Sequence, residues 1–498
     1  MTKRRTFGSG DGLDRPVAVA DLGSNSFRLV VYRPPARAPV VLYNERVIVG
    51  LARTLDSSGK LQRRGRNVAL ATVLRFHRLA EAMGARHIRT VATAAIRDAA
   101  DSRPLIDSIR TRTGIDVEVM DAREEARLAA SGLMAGIPGA NGILGDMGGG
   151  SIEFARVCEG NVLADGSLPA GMLRLMEMSH RVAAEAGRML TQELRPLDWL
   201  KDGRGRPFFA IGGSWRALAR ALQSRTKHPL PIIHGYRLDR RELVDHLTEL
   251  VHLPARKLPH SIPSHRRAGL PFAAAAMLAV MKAVRPSRVV FSGFGLREGI
   301  LLELLEEPAD QEVTPLLEAT ASLEPANRPF VGNPDTIASW IRPILRDAGF
   351  VNKNGEFLAA CARLVDLAWN EHPEHRARYA FDRVALRPLL PVSQAIRIRL
   401  ALALHARYTG AAVTGRMRSI AQLIPDSHAR WSRIVGLALR LAMTIGGGAT
   451  RTLETCQLEL RGGVLTLTLP QCLDALVVRA RLKTLAQALG RKHHIIYA

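Results

Sequence analysis

Cysteine is scarce in this 498-residue chain, and the few there are lie scattered. Cys158, Cys361, Cys456 and Cys472 form no CxxC pair, which argues against a disulfide scaffold or a zinc site and suits a reducing, cytoplasmic setting. Long apolar runs are missing too. The longest, Leu270 to Met281, stops at Lys282 and falls short of the ~20 residues a spanning helix needs, so no membrane segment is expected. Met1 to Arg15 is polar and basic, unlike a secretory signal, and reads as a disordered leader. Aromatic residues make up only 5% of the chain, and there is no helix-turn-helix, zinc or aromatic RNA-binding motif. No specific nucleic-acid partner is therefore expected. Negative charge is also short: 46 Asp and Glu face 70 Lys and Arg, a formal surplus of +24. Such a surplus favours a polyanion (nucleic acid, an anionic membrane surface or polyphosphate), unless it is only a solvated surface. Half of it lies between Phe381 and Ala498, where 17 Lys and Arg stand against 5 Asp and Glu.

What the chain does have is one short device made twice. Val17-Ala-Val-Ala-Asp-Leu-Gly-Ser-Asn-Ser-Phe-Arg28 and Gly142-Ile-Leu-Gly-Asp-Met-Gly-Gly-Gly-Ser-Ile-Glu153 align without gaps. Asp21 falls on Asp146, Gly23 on Gly148 and Ser26 on Ser151. Each segment is an apolar run, an acid, small residues and a second apolar run, the pattern of a hairpin with a tight turn. Glycine and serine let main-chain N–H groups approach an anion, and the neighbouring acid can hold a divalent cation. Two such turns predict two related domains closing on one polyphosphorylated ligand.

Periodicity supports that organisation. Strands expected at 17–32, 40–49, 87–92 and 116–119 alternate with helices near 67–83, 98–112 and from 122, giving an α/β unit over 16–133 after the leader 1–15. A second unit spans 134–307, with strands at 142–157, near 208–211 and at 288–292. The acidic, proline-spotted stretch 308–325 reads as a linker. Residues 326–498 are mainly helical, with a late hairpin around Gly462-Gly463 before a last helix.

Several residues could carry chemistry. Asp121-Ala-Arg-Glu-Glu-Ala-Arg-Leu128 opens a helix at the junction of the two units. Its acids either cap that helix or place a glutamate where it can accept a proton from water. Asp146 and Glu153 flank the second turn and could share a Mg²⁺ ion, which usually bridges carboxylates to phosphates. Gly212-Gly-Ser214 is a third glycine turn between a strand and a helix, offering donors at a helix start. Arg97 follows the strand at 87–92 and is either a surface residue or a bidentate phosphate ligand. Ser292 to Gly299 imitates a dinucleotide fingerprint, but Gly293, Gly295 and Gly299 have the wrong spacing.

Together these segments resemble the exopolyphosphatase / guanosine pentaphosphate phosphatase family. The resemblance rests on Asp21 to Ser26, Thr93 to Arg97, Glu124 to Leu128, Asp146 to Glu153, Gly212 to Ser214 and Leu296 to Gly299, in that order. It implies an α/β fold of two duplicated actin-like (RNase H-like) domains followed by a helical HD-like domain, and a homodimer. It implies Glu125 as the base for an attacking water, with Asp146, Glu153 and Asp21 around Mg²⁺. Ser24, Asn25, Ser26, Arg97, Gly148, Gly149, Gly150, Ser151, Gly212, Gly213, Ser214 and Arg267 would hold phosphates. Two departures stand out. No His-Asp dipeptide occurs, so a working HD metal hydrolase is not expected, and Arg266-Arg267-Ala-Gly-Leu-Pro lacks the acid that many relatives place there.

The expected reaction is removal of orthophosphate from the end of inorganic polyphosphate. A guanosine pentaphosphate phosphatase is the nearest alternative. A basic nucleic-acid-binding protein and a sugar kinase stand further off. The polymer beyond the cleft would follow basic residues of the C-terminal half, such as Arg397, Arg399, Arg407, Arg416 and Arg418, unless these form an exposed helix face.

Overall fold

The computed structural model describes residues 15–33, 38–254, 257–258, 262, 264–304, 314–324, 333–350, 355–388 and 391–498. It divides into two compact units, Met1–Ala309 and Asp310–Ala498. Residues 1–14 of the expected leader 1–15 and much of the expected linker lie outside the described residues. Within the linker stretch, Pro315–Ala321 is a helix whose first turn is capped by Thr314.

The apolar run at Val17 becomes the centre of a sheet. Strand β1 (Val17–Leu22) lies between β2 (Ser26–Tyr32) and β4 (His87–Ala92), with β3 (Val41–Ile48) and β5 (Val117–Val119) at the edges. Both faces of β1 are covered, so its residues split by parity. Val17 and Val19 pack with Met120, Leu128 and Ile300. Ala18, Ala20 and Leu22 pack with Val73, Phe76 and Ile96 on the other side.

The second sheet runs β10-β11-β9-β6-β7-β8, from β6 (Asn141–Met147), β7 (Ile152–Cys158), β8 (Asn161–Leu168), β9 (Pro207–Ile211), β10 (Tyr236–Asp239) and β11 (Arg288–Phe291). Its order β8-β7-β6-β9-β11 repeats β3-β2-β1-β4-β5, with β10 added at one edge. In both sheets the first three strands are antiparallel and the next two run parallel to the first. The glycine turns therefore sit at the carboxyl ends of parallel strands, where ligands of α/β sheets collect.

Helices Ala122–Gly136 and Leu296–Glu303 cross at glycines. A Cβ on Gly299 would stand 1.9 Å from the Leu128 carbonyl oxygen, and one on Gly132 2.0 Å from that of Gly295. This crossing serves both sheets, because Leu128 faces β1 while Ala129 and Leu133 face Leu144 and Ile211.

The second unit is helical, as expected, with strands β12 (Gln457–Arg461), β13 (Val464–Leu469) and β14 (Lys492–Tyr497). The sequence pattern ends at the last helix and gives no sign of β14, which pairs parallel to β13. That strand is exposed along most of its length, so no alternation marks it. The basic track needs correction. Arg397 is wholly buried and donates to the carbonyls of Val384 and Arg387. Arg399 lies over the Phe357 ring at 4.4 Å, and Arg407 over Tyr408 at 4.3 Å while pairing with Asp366. The helix Gln394–Thr409 is covered nearly all round, so these arginines pack inside the unit. Arg416 and Arg418 are exposed.

Gly299→Ala should lower stability by about 3 kcal/mol, as overpacking against backbone does, read as a drop in Tm. Gly355→Ala, where a methyl group meets open space, should leave it unchanged.

Candidate functional site

The two glycine turns meet face to face. A Cβ on Gly149 would stand 3.3 Å from the Ser24 Cβ, and one on Gly150 2.8 Å from the Ser24 Oγ and 3.2 Å from the Ala94 Cβ. Backbone bonds brace the second turn: Gly148 N donates to the Ser151 carbonyl, and Met172 N and Leu173 N donate to those of Gly148 and Gly149. The third turn joins them. Gly212 has φ +89°, and a Cβ there would stand 2.5 Å from the Met147 carbonyl oxygen and 2.6 Å from Asp146 Oδ1. All three turns border one cleft of about 940 Å³, together with Asp21, Glu125, Asp146 and Glu153. Ser24, Asn25, Ser26, Gly148 to Ser151 and Gly212 to Ser214 all line it.

Register decides where the charges go. Asp146 on β6 lies directly opposite Glu153 on β7, so both carboxylates share one face. In the first hairpin the partner of Asp21 is Arg28. The equivalent position thus carries a cation in one turn and an anion in the other. Asp21 also accepts from Arg297 Nη1 at 2.8 Å. Asp146 and Glu153 have no ion-pair partner of that kind among the described residues. Ser167, opposite Glu153 on β8, donates to its Oε1. Burial, opposed by Arg216 and Arg297, pushes the Asp146 carboxyl up to about 6. Burial and then the Asp146 charge push Glu153 up to about 7.

The helix at Ala122 resolves the alternatives left open by its sequence. Asp121 caps it, accepting from Glu124 N at 2.8 Å. Glu125, one residue on, is only 8% exposed and borders the cleft. Its carboxyl is held well above the usual glutamate range by burial and then by Glu153, with Arg97 opposing.

Arg97 does not line the cleft. Its Nη1 donates to Glu125 Oε2 at 3.0 Å and to the Met120 carbonyl, and its Nε donates to Asp98. It thus orients the glutamate. Arg267 also turns away, donating from Nε to the Ile262 carbonyl, while its neighbour Arg266 enters the cleft. The expectation for Arg267 therefore falls on the wrong member of that pair, since nothing in an Arg-Arg dipeptide says which side chain faces inward.

Six arginines to which the sequence assigns no role line the cleft: Arg28, Arg46, Arg181, Arg216, Arg266 and Arg297. Arg28 is lowered to about 9 by burial and then by Arg297 and Arg216. Arg266 is lowered to about 9 by burial and then by Arg46, Arg216 and Arg220. Both stay protonated at neutral pH, so mutual repulsion is stored where an anion would relieve it. Backbone contacts fix the wall. Arg216 donates to the carbonyls of Gly212 and Gly293, and Glu298 accepts from Gly295 N while placing Arg297 beside it. Arg28, Arg266 and Arg297 each belong to a quoted motif, but their convergence joins three distant segments and leaves no local signal.

The cleft fits a divalent cation in a specific sense. The described residues contain no cluster of three or more metal-ligating side chains. Mg²⁺ needs only one or two carboxylates when phosphates complete its shell, and the Asp146–Glu153 pair supplies two like charges that a cation would offset. In the metal-free protein their raised pKa values bear on stability. A carboxyl with a raised native pKa holds its proton more tightly when folded. Its contribution is therefore full below about pH 4.5 and lost as pH rises through about 7. Glu153→Gln should raise the Tm of the metal-free protein by roughly 2–4 °C at pH 8 and change it little at pH 4, as calorimetry would show.

Comparison with known proteins agrees with this geometry. Residues 30–307 match the Ppx/GppA phosphatase family, and residues 338–496 match the family described as exopolyphosphatase, C-terminal. Exopolyphosphatase 1 of Mycobacterium tuberculosis is 27% identical over 327 residues, covering 61% of this chain and 92% of that protein. Exopolyphosphatase 1 of Mycobacterium leprae is 26% identical over 314 residues, covering 59% and 91%. The crystal structure of an exopolyphosphatase from Cytophaga hutchinsonii shares the fold with a TM-score of 0.54 at 24% identity, over 58% of this chain and 97% of that one. An Aquifex aeolicus Ppx/GppA family member does so with a TM-score of 0.51 at 23% identity, over 59% and 99%. The chain belongs to the Ppx/GppA phosphatase family.

Proposed function

We infer that this protein is an exopolyphosphatase, hydrolysing the terminal phosphoanhydride of inorganic polyphosphate to release orthophosphate. The observation that carries this reading is the cleft itself: facing glycine turns, an arginine wall and the buried Glu125 border a single space. The relatives named exopolyphosphatase point the same way.

In this reading the end phosphate lies between the turns, held by backbone N–H groups of Gly149 to Ser151 and Gly212 to Ser214. Glu125 takes a proton from water as the water oxygen bonds to the terminal phosphorus in line. The bridging P–O bond breaks, and the shortened polymer leaves with the negative charge. Arg97 is a positioning residue that turns the Glu125 carboxylate and favours its ionised form. Arg28, Arg266 and Arg297 offset the charge of the phosphates behind the end group. Mg²⁺, held by Asp146 and Glu153, would supply further charge neutralisation, while Asp21 acts through Arg297. Such chemistry depends mainly on positioning and electrostatics.

The same reading treats the two sheets as duplicated actin-like domains, on the strength of their shared strand order, and the helical unit as a degenerate HD-like domain. It takes the molecule to be a cytoplasmic homodimer. Among the described residues no helix is long and apolar enough to cross a membrane, and all four cysteines are free.

Glu125→Gln should reduce kcat for polyphosphate by about 10²–10⁴-fold with KM little changed; near-normal turnover would overturn the assignment. Arg97→Gln should move the acid limb of the pH profile upward, because it removes the group that lowers the Glu125 pKa. Orthophosphate release from polyphosphate and from guanosine pentaphosphate, each with and without EDTA, separates the two substrates and tests the cation.

A further inference from the structure

A second concavity lies on the first unit, away from the cleft. Arg204, Arg240, Lys282 and Arg285 surround about 710 Å³ of space above Leu278 and Met281, and no carboxylate lines it. None of the four cationic side chains has a hydrogen-bond or ion-pair partner within the described residues. All four are exposed.

Topology places this groove at the opposite end of the second sheet from the glycine turns. Arg204 precedes β9 and Arg285 precedes β11, which run parallel, and Arg240 follows β10, which is antiparallel to β11. The catalytic turns lie at the other ends of β6 and β9. The five residues of β9 set the two places at least about 16 Å apart.

The groove is a built feature. Gly205 N donates to the Arg285 carbonyl, Ser287 N to that of Arg206, and Arg240 N to that of Ser287, so backbone bonds stitch together the segments that carry three of the cations. Arg285 ends the helix Leu270–Val284 in the left-handed region, with φ 52°. Glycine is the usual residue there, and a side chain costs conformational energy. That cost is accepted at a position whose guanidinium faces the groove. The apolar floor keeps the local dielectric low, which focuses the field of the four charges.

We propose that this groove is a secondary anchor for inorganic polyphosphate, binding a distal part of a long chain whose end occupies the cleft. The proposal rests on the exopolyphosphatase reading for the ligand's identity. A chain held at two places binds more tightly than one held at the cleft alone, without any change at the reacting group. Short substrates that cannot span both places gain nothing from it.

The test uses the full chain carrying Glu125→Gln, so that bound polymer survives, with and without Arg204→Gln, Arg240→Gln and Arg285→Gly together. Binding of polyphosphate several hundred units long should weaken about tenfold at low salt and become less salt-sensitive. Binding of tripolyphosphate should not change. Arg285→Gly alone should weaken long-chain binding while leaving Tm equal or higher, an outcome that a merely structural arginine would not give. Unchanged long-chain affinity in the triple variant would overturn the anchor, as would equal losses for long and short chains. So would a duplex DNA oligonucleotide that outcompetes long polyphosphate at this groove, which would make it a nucleic-acid site. Orthophosphate release from tripolyphosphate by the otherwise unaltered chain reads the catalytic assignment separately. Its absence would sink that assignment, while the binding comparison still decides the groove.

Discussion

Two carboxylates held side by side at the floor of one cleft set the character of this molecule. The β6–β7 register leaves Asp146 and Glu153 no way to avoid each other, and burial removes the water that would otherwise screen them. Such an arrangement is unfavourable in isolation. A positive charge arriving with a ligand would relieve it. The surrounding elements keep the pair from relaxing: Ser167 holds Glu153 from β8, and Gly212, with no side chain, lets the third turn press on Asp146.

The cleft walls carry the complementary strain. Arginines crowd the space from β2, from the Gly213–Arg225 helix, from the segment around Arg266 and from the Leu296–Glu303 helix. Two like-charged groups of opposite sign thus face one cavity, anions at the floor and cations along the side. A phosphate with a bound divalent cation satisfies both at once, whereas a neutral or cationic ligand would satisfy neither. Selectivity for a polyanion therefore follows from the electrostatics of the cleft walls themselves.

The legible part of this design is the part written in consecutive residues. Gly212 announces a turn because only a residue without a side chain tolerates its φ of +89° and its approach to the Met147 carbonyl, while a side chain at Gly23 or at Gly148 to Gly150 would crowd its neighbours. The central strands are legible because strands covered on both faces read as continuous apolar runs. Glu125 can be placed near the cleft from sequence, but only the observed Asp121 cap separates it from a capping role. The arginine wall is not legible, since Arg28 and Arg297 lie 269 positions apart and meet only through the fold. Arg397 shows the converse error. Its charge suggests exposure, yet its Nη1 donates to two neighbouring carbonyls inside a helical core.

The equivalence of Arg28 and Glu153 bears on how two similar hairpins come to differ in duty. Each hairpin presents an aspartate and small residues to the cleft, so each can cradle an anion. The residue across the ladder decides the rest. Arg28 places a positive charge across from Asp21, whose ion pair is with Arg297, and so leaves a turn suited to phosphate. Glutamate doubles the negative charge, which a cation would offset. One substitution of sign at matched positions is enough to give a symmetric pair of loops an asymmetric chemistry. Glu125 then sits beside the acidic hairpin, where burial and then Glu153 raise its proton affinity and Arg97 restrains it. A base placed beside the Asp21–Arg28 hairpin instead would have its pKa lowered by the arginines and lose basicity.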